Sequence, residues 1–547
     1  MDELRKNQLY TAEIEGYSSS GAGVCRILGR AVFVEQALVG EVWEVLILKV
    51  TSSAVYGKGQ RLVKASPERV LPVCPVFGKC GGCDLMHMSY AEELRFKLTR
   101  VNDAIRRLGG LDFRIDEIIG AREEETLRYR NKAIFAVGQD KDGRAVTGFF
   151  RERSHDIIEA PDCLIQTEIS VRCAAALREF MDKTGVPAYD ETTGKGLLRH
   201  IFTRCSLKFA QSVACIVSAG GLHEHTGELV KCLREKCPEL TGIVLCINKI
   251  RGNTVLAGDF HTLWGSEYIE DELCGLRFKI SPLSFYQINP RQAEKLYMRA
   301  LEYASPDGAG TVLDLYCGTG TISLCLARGA KFVYGAEIVA DAVENARQNA
   351  EANGIKNAEF LLGDAGEAAK RLSQAGISPN AVVVDPPRKG LSADVIETIA
   401  EMSPGRVVYV SCDPATLSRD MKLFAGRGYM PKAGVAVDMF PRTCHVETVC
   451  LLSKLHADHH IEVELNLDEL DLTAAESKAT YDEIKAYVLE NSGLKVSSLY
   501  IAQTKEKMGI KERENYNFSK NEDAKVPQSP PGKEKAIIEA LKHFGMI

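Results

Sequence analysis

Three groups of residues in this 547-residue chain have types and spacings suited to chemistry. The first is a single thiol. Val407-Val408-Tyr409-Val410-Ser411 runs straight into Cys412-Asp413-Pro414, which puts Cys412 at the carboxyl end of a strand, where open α/β sheets hold their ligands. Cys412 reads either as a nucleophile or as a small buried hydrophobe. The second group is Cys74, Cys80 and Cys83 at C-x5-C-x2-C spacing among glycines, with Cys163 as a distant fourth. Four thiolates can hold zinc or an iron–sulfur cluster. The apolar neighbours Val76, Phe77 and Leu85 favour a shielded cluster, and spacing alone leaves zinc open. The third group is a series of acids, each closing an apolar run: Glu337, Asp364 and Asp385.

The elements that must position these acids follow one pattern. Thr311-Val312-Leu313-Asp314-Leu315-Tyr316 reads as a buried parallel strand, followed by Cys317-Gly318-Thr319-Gly320-Thr321 and an apolar helix over residues 322–326. Gly318 lets the backbone approach a ligand. Glu337 ends the next strand, suited to ribose hydroxyls, and Asp364 ends the third, near an adenine edge. Asp385 opens Asp385-Pro386-Pro387-Arg388-Lys389-Gly390. The first turn lacks G-x-G-x-x-G, so the recurrence favours S-adenosylmethionine (AdoMet) over a nicotinamide dinucleotide. Arg388 stands where amino-group methyltransferases place an aromatic after Asp-Pro-Pro, which argues against chemistry on an exocyclic amine. The C-x5-C-x2-C spacing also differs from that of radical AdoMet enzymes.

The remaining chain supplies context. Short β-rich runs with glycine turns over residues 1–70 predict a small OB-like barrel, either structural or oligonucleotide-binding. A helix over residues 90–108 carries Leu94, Leu98, Val101 and Ile105 on one face and basic residues, Lys97 among them, on what reads as a solvated surface. Arg128-Tyr129-Arg130-Asn131-Lys132 interleaves an aromatic with bases, as a phosphate-contacting surface would. Arg199-His200 reads as structural. Beyond residue 454 the pattern predicts a strand over 461–465, a capping box at Thr473 and Glu476, and a helix with Ile484, Val488 and Leu489 as its apolar face, stopped by Gly493. A polar arm over 515–535 then leads to a last helix ending at Ile547. Hydrophobic residues at 45% and charged residues at 26% allow ordinary packed cores, and the net charge of −6 excludes a uniformly basic coat. Seventeen cysteines without a secretion signal or an apolar run of spanning length predict reduced thiols in a cytoplasmic protein with no membrane partner.

Together these motifs resemble the RNA uracil-C5 methyltransferases, in particular the branch that acts on 23S ribosomal RNA. The resemblance covers most of residues 1–454. It rests on the barrel, the four cysteines, Phe285-Tyr286-Gln287-Ile288-Asn289, the Asp-Leu-Tyr-Cys-Gly-Thr-Gly turn, Asp-Pro-Pro-Arg-Lys-Gly, Ser-Cys-Asp-Pro-Ala-Thr-Leu, and His445-Val446-Glu447-Thr448-Val449. It implies that Gln287, Tyr316, Glu337 and Asp385 contact AdoMet, that Cys412 is the nucleophile and Glu447 the base, and that Cys74, Cys80, Cys83 and Cys163 hold a [4Fe–4S] cluster. His445 is the alternative base, and Arg388 and Arg419 are candidates to favour the thiolate. The implied architecture is multidomain α/β: a TRAM-like barrel (1–70), a central α/β domain with the iron–sulfur site (71–275), a Rossmann-like class I AdoMet methyltransferase domain (276–454), and a small α+β extension (455–547). The expected partner is a loop or single-stranded uridine of ribosomal RNA, bound by a monomer. The alternatives are a tRNA-modifying enzyme and a non-catalytic RNA-binding assembly factor.

Overall fold

The computed structural model describes residues 4–152, 154–252, 254–304, 310–454, 481–508 and 530–544. The chain divides into two compact units, Met1–His456 and Ala457–Ile547. In the first, the N-terminal strands form a six-stranded sheet in the order Leu9–Glu13, Val42–Val50, Val55–Lys64, Arg30–Val34, Gly23–Ile27 and Gly16–Tyr17. Alternate residues such as Cys25, Val32, Val34, Val45 and Ile47 point into its own core. A seven-stranded, mostly antiparallel sheet follows, with Lys132–Gln139, Leu198–Cys205 and Ser212–Ser218 at its centre. The helices Glu168–Thr184 and Thr226–Lys236 contribute to the same core.

The largest sheet carries the glycine turn. Its order is Ala358–Leu362, Phe332–Glu337, Thr311–Leu315, Ala381–Val384, Arg406–Ser411, Glu447–Lys454, Tyr429–Val437 and Ile118–Ile119. The first five strands are parallel, and Glu447–Lys454 is antiparallel between its neighbours. The parallel strands are unbroken apolar runs because helices cover both faces. The two-residue strand Ile118–Ile119 pairs with Tyr429–Val437, so the chain touches this sheet before it builds the central one. Helix Tyr90–Ala104 departs from its sequence reading. Val101 is buried as expected, but Lys97 is also fully buried. Its Nζ donates to Glu93 Oε1 at 2.7 Å, Asp438 Oδ1 at 2.6 Å and the Phe440 carbonyl at 3.1 Å. Burial opposes the Lys97 charge, yet Asp438 and Glu93 outweigh it and hold the ammonium above its ordinary range.

In the second unit, helices Tyr481–Ser492, Ser498–Lys507 and Pro531–His543 share a core of Ile484, Val488, Ile501, Ile537, Ala540 and Leu541. Gly493 has φ +68° and ends the first helix as expected, whereas Leu489 is 46% exposed and lies off the apolar face. Residues 531–535, read as part of a polar arm, begin the third helix, which ends at His543. The expected strand at 461–465 and capping box at Thr473 and Glu476 lie outside the described residues, as does Ile547. No helix among the described residues is long and apolar enough to cross a membrane.

Removing the Lys97 ammonium strands two buried carboxylates. Lys97→Met is expected to lower stability by roughly 3–5 kcal/mol, read as a fall in urea midpoint. Lys97→Met combined with Glu93→Gln and Asp438→Asn recovers much of the loss. A single variant as stable as wild type would refute the assignment.

Candidate active site

The parallel strands change direction of winding between Thr311–Leu315 and Ala381–Val384, and the turns at their carboxyl ends face the same crevice. Tyr316 sits at φ +75°, a strained conformation for an aromatic residue. The amides of Tyr316 and Cys317 both donate to the Ala336 carbonyl at 3.0 Å. Gly320 has φ +83°, and a Cβ there would stand 3.1 Å from Ala346 and Phe360. The Glu337 carboxylate joins two turns. One oxygen accepts from the Gly318 amide at 3.1 Å and the other from the Ile338 and Val339 amides at 2.9 and 3.0 Å. Asp364 has a structural role that sequence reasoning missed, capping helix Ala365–Gln374 by accepting from the Gly366 amide at 2.9 Å. Its charge also reaches the Tyr316 phenol. Gln287 is buried near the Tyr297 hydroxyl, and its carbonyl accepts from Asn131 Nδ2 at 2.9 Å.

The loop after Asp385 is clamped by helix Pro414–Ala425. Asp420, fully buried, accepts from the Leu391 amide at 2.8 Å, the Tyr409 hydroxyl at 2.7 Å and Arg419 Nε at 2.7 Å. Arg419 Nη2 also donates to the Lys389 and Leu391 carbonyls at 3.0 Å. This corrects the expectation for Arg419: it is committed to the loop and does not act on the thiol. Gly390, at φ +72°, is required here because a Cβ would meet Asp420 Oδ2 at 2.5 Å.

Cys412 is half-buried and precedes Asp413, which caps the same helix by accepting from the Ala415 and Thr416 amides at 2.8 and 3.0 Å. Strands Arg406–Ser411 and Glu447–Lys454 pair up to Ser411 and Thr448. The next position on this register sets Cys412 against Glu447, at the end where the glycine turn and Asp385 lie. Burial and the Glu447 charge push the Cys412 thiol up to about 11, and the nearby Arg388 works in the opposite direction. Burial, then Asp385, pushes Glu447 up to about 8, again against Arg388. Asp385 rises to about 7 through burial, and Asp314 to about 7 through burial with Asp385 and Glu337 nearby. Asp314 Oδ1 is buried with no hydrogen-bond partner. The crevice thus gathers more carboxyls than cations, with Arg388 the cation that reaches Cys412 and Glu447, a setting that favours a positively charged ligand. His445 is pushed below its ordinary range, chiefly by burial.

The four cysteines of the N-terminal half lie within electrostatic reach of one another. Cys83 senses the charges of Cys163, Cys80 and Cys74, and Cys163 those of Cys80 and Cys74; burial raises both thiols. Cys74, Cys83 and Cys163 pack with Phe77 around buried Met86, Tyr129 and Ile165. Among the described residues no three metal-binding side chains gather tightly around a single ion position.

A family model described as tRNA (Uracil-5-)-methyltransferase matches residues 263–455, and one described as TRAM domain matches residues 3–60. Proteins named "Uncharacterized RNA methyltransferase" from Clostridium tetani and Clostridium acetobutylicum are each 42% identical to this chain. The first aligns over 450 residues, 82% of this chain and 97% of its own, and the second over 455 residues, 83% and 98%. The fold is similar to that of the Pyrococcus abyssi tRNA (uracil-54, C5)-methyltransferase in complex with S-adenosyl-L-homocysteine, with TM-score 0.65 and 27% identity over 81% of this chain and 100% of that one.

The raised Glu447 value carries a sign for stability. The folded protein holds this proton up to about pH 8, whereas the unfolded chain releases it near 4.5. Glu447 therefore costs stability increasingly as pH rises from 4.5 to 8, with a plateau above. Glu447→Gln is expected to stabilise the protein little at pH 5 and most at pH 8.5, by about a few kcal/mol, read as the rise in melting temperature at each pH. A difference that does not change with pH would contradict the burial of this charge.

Proposed function

This chain belongs to the RNA uracil-5-methyltransferase family, and we propose that it methylates C5 of a uridine in 23S ribosomal RNA. The observation that carries the reading is the register that opposes Cys412 to Glu447 beside the glycine turn. Uracil C5 is too weak a nucleophile to take a methyl group unaided. Addition of the Cys412 thiolate to C6 makes C5 nucleophilic. When bound, AdoMet supplies an electrophilic methyl on a sulfonium, whose positive charge suits the acid-rich crevice. Gln287, Tyr316, Gly318, Glu337, Asp364 and Asp385 are the residues we assign to hold it. After transfer C5 carries both the methyl and its proton. Glu447 as carboxylate takes that proton, the C6–sulfur bond breaks, and Cys412 leaves as thiolate. Arg388 stabilises the two anionic forms.

A groove of about 1100 Å³ lined by Tyr17, Arg26, Phe33, Arg95, Arg100 and Arg107 runs between the barrel and helix Tyr90–Ala104 to Asp413. Glu15, Glu92 and Asp103 also line it and pair with Arg26, Arg95 and Arg107, so its aromatic rings and Arg100 are the features that suit single-stranded RNA; it ends at Asp413, next to Cys412. We assign Cys74, Cys80, Cys83 and Cys163 to a [4Fe–4S] cluster. The donor set is all thiol, and a four-iron cluster spreads its ligands more widely than one zinc ion. The barrel and these cysteines support the ribosomal branch and the four-part division at residues 70, 275 and 454. The second reading, a tRNA substrate, is favoured by the similarity to the Pyrococcus abyssi enzyme.

With 5-fluorouridine in the transcript, C5 has no proton to lose, so wild-type protein and AdoMet are expected to form a covalent adduct on a denaturing gel, and Cys412→Ala none. Glu447→Gln accumulates a methylated adduct on ordinary RNA; wild-type turnover by this variant would remove Glu447 as base. Mapping 5-methyluridine in ribosomal and transfer RNA incubated in parallel decides between the two substrates.

Protein purified without oxygen is expected to contain iron and sulfide with a brown absorbance, lost when Cys80 and Cys83 are both replaced by serine. Colourless protein with stoichiometric zinc would overturn the cluster.

A further inference from the structure

Three cations meet on the central sheet: Arg130 faces the thiols of Cys83 and Cys163, and among the described residues Lys132 and Arg204 have no carboxylate or thiol paired with them. Lys132 and Arg204 are directly opposite on the antiparallel strands Lys132–Gln139 and Leu198–Cys205, an arrangement that is destabilising for like charges. Arg130 lies two residues before Lys132, just ahead of the strand, and its charge reaches the Lys132 ammonium. Arg204 is 1% exposed. Its Nη2 donates to the Ser284 carbonyl at 2.7 Å, while Nε and Nη1 have no partner. Arg130 leans on the Tyr129 ring, 5.8 Å from its centroid, and its Nε donates to the Tyr129 hydroxyl at 3.4 Å. Asp271 is the carboxylate whose charge reaches Arg204; it lies beyond ion-pair distance and already accepts from Ser206 Oγ at 2.7 Å. Among the described residues none of the three cations has a carboxylate partner. Burial, Arg204 and Arg130 push the Lys132 ammonium down to about 8, the mark of a cation held among others.

Buried cations without carboxylate partners cost stability, and an entering anion offsets that cost. Building on the RNA methylation reading above, we propose that Arg130, Lys132 and Arg204 form a phosphate-binding site for the RNA backbone next to the target uridine. The site adjoins the crevice: Asn131, between Arg130 and Lys132, donates its amide to the Ile288 carbonyl at 2.9 Å and its side chain to the Gln287 carbonyl. It belongs to the central sheet and not to the strand ends assigned to AdoMet, where the protein gathers acids. A polyanion passing from one sheet to the other meets cations at the first and leaves the acids to the sulfonium.

The test is salt-dependent binding of a short oligouridylate by the full-length protein, read as fluorescence anisotropy between about 50 and 200 mM salt. Lys132→Gln is expected to bind about tenfold more weakly at low salt and to lower the slope of log affinity against log salt by about 0.7, one single-strand phosphate contact. Arg130→Gln should act in the same direction. AdoMet affinity by calorimetry stays unchanged, and the RNA-free melting temperature stays equal or rises because a repulsion is removed. Unchanged oligouridylate binding overturns the site. Weaker AdoMet binding with intact RNA binding transfers the anion to the AdoMet carboxylate and also overturns it. A lowered melting temperature with no change in slope reduces the cluster to a structural one. The parent reading is judged separately: wild-type protein that makes no 5-methyluridine, yet whose RNA binding still depends on Lys132, loses the enzyme assignment and keeps the phosphate site.

Discussion

A single buried ammonium governs where the proposed base stands. The segment over residues 438–446 has no strand or helix of its own, so its backbone groups need partners from elsewhere. Lys97 takes Asp438 and the Phe440 carbonyl, and Tyr90 donates to the other Asp438 oxygen at 2.6 Å. Gln292 and Asn289 donate to the Asp438 and Met439 carbonyls, and Tyr129 to that of Pro441. The Arg442 amide donates to Glu93, and the Arg442 carbonyl receives the amides of Asp84 and Leu85. Asp84 follows Cys83 directly, so the loop of cysteines and the approach to Glu447 are fastened to each other. Loss of the Lys97 charge would leave Glu93 and Asp438 facing one another in a dry interior, which is why this contact outranks the surface ion pairs of the same helix.

Charge is sorted between the two halves of the first unit. Around the glycine turn lie Asp314, Glu337 and Asp385, with Glu447 across the sheet. Burial raises Asp314, Asp385 and Glu447 above the ordinary carboxylate range, with neighbouring carboxylates adding to the rise of Asp314 and Glu447. Such a site binds a cation and releases protons as it does so. Arg388 is the cation close enough to lower both Cys412 and Glu447. It is exposed, so its influence depends on what shields it from solvent, and an RNA strand lying over the loop would strengthen it.

Local chemistry was readable from the chain wherever one short segment decides it. The apolar run ending at Cys412, the Gly318 and Gly320 turn, and the stop at Gly493 each appear where backbone sterics and strand periodicity place them. What escaped reading depends on partners distant in the chain. Lys97 looks like a solvated base on an amphipathic helix, because nothing near it reveals that Asp438 will close over it. Arg419 sits in a motif with Cys412 and invites a catalytic role, yet its guanidinium finds two carbonyls of a loop some thirty residues earlier. Ile118–Ile119 is too short to show periodicity and becomes a strand because an edge is available. Lys132 and Arg204 are unremarkable alone; their opposition is a property of sheet register, which only the folded chain defines.

The position of strand Glu447–Lys454 has a consequence for how the protein comes into being. Among the described residues it is the last strand of its sheet in chain order, yet it lies inside, between Arg406–Ser411 and Tyr429–Val437. A growing chain presents Cys412 well before Glu447, and the slot between the two flanking strands stays open until residue 454 has left the ribosome. A chain that stops short of this strand leaves both neighbours with unpaired edges, so the sheet closes only when its last segment arrives.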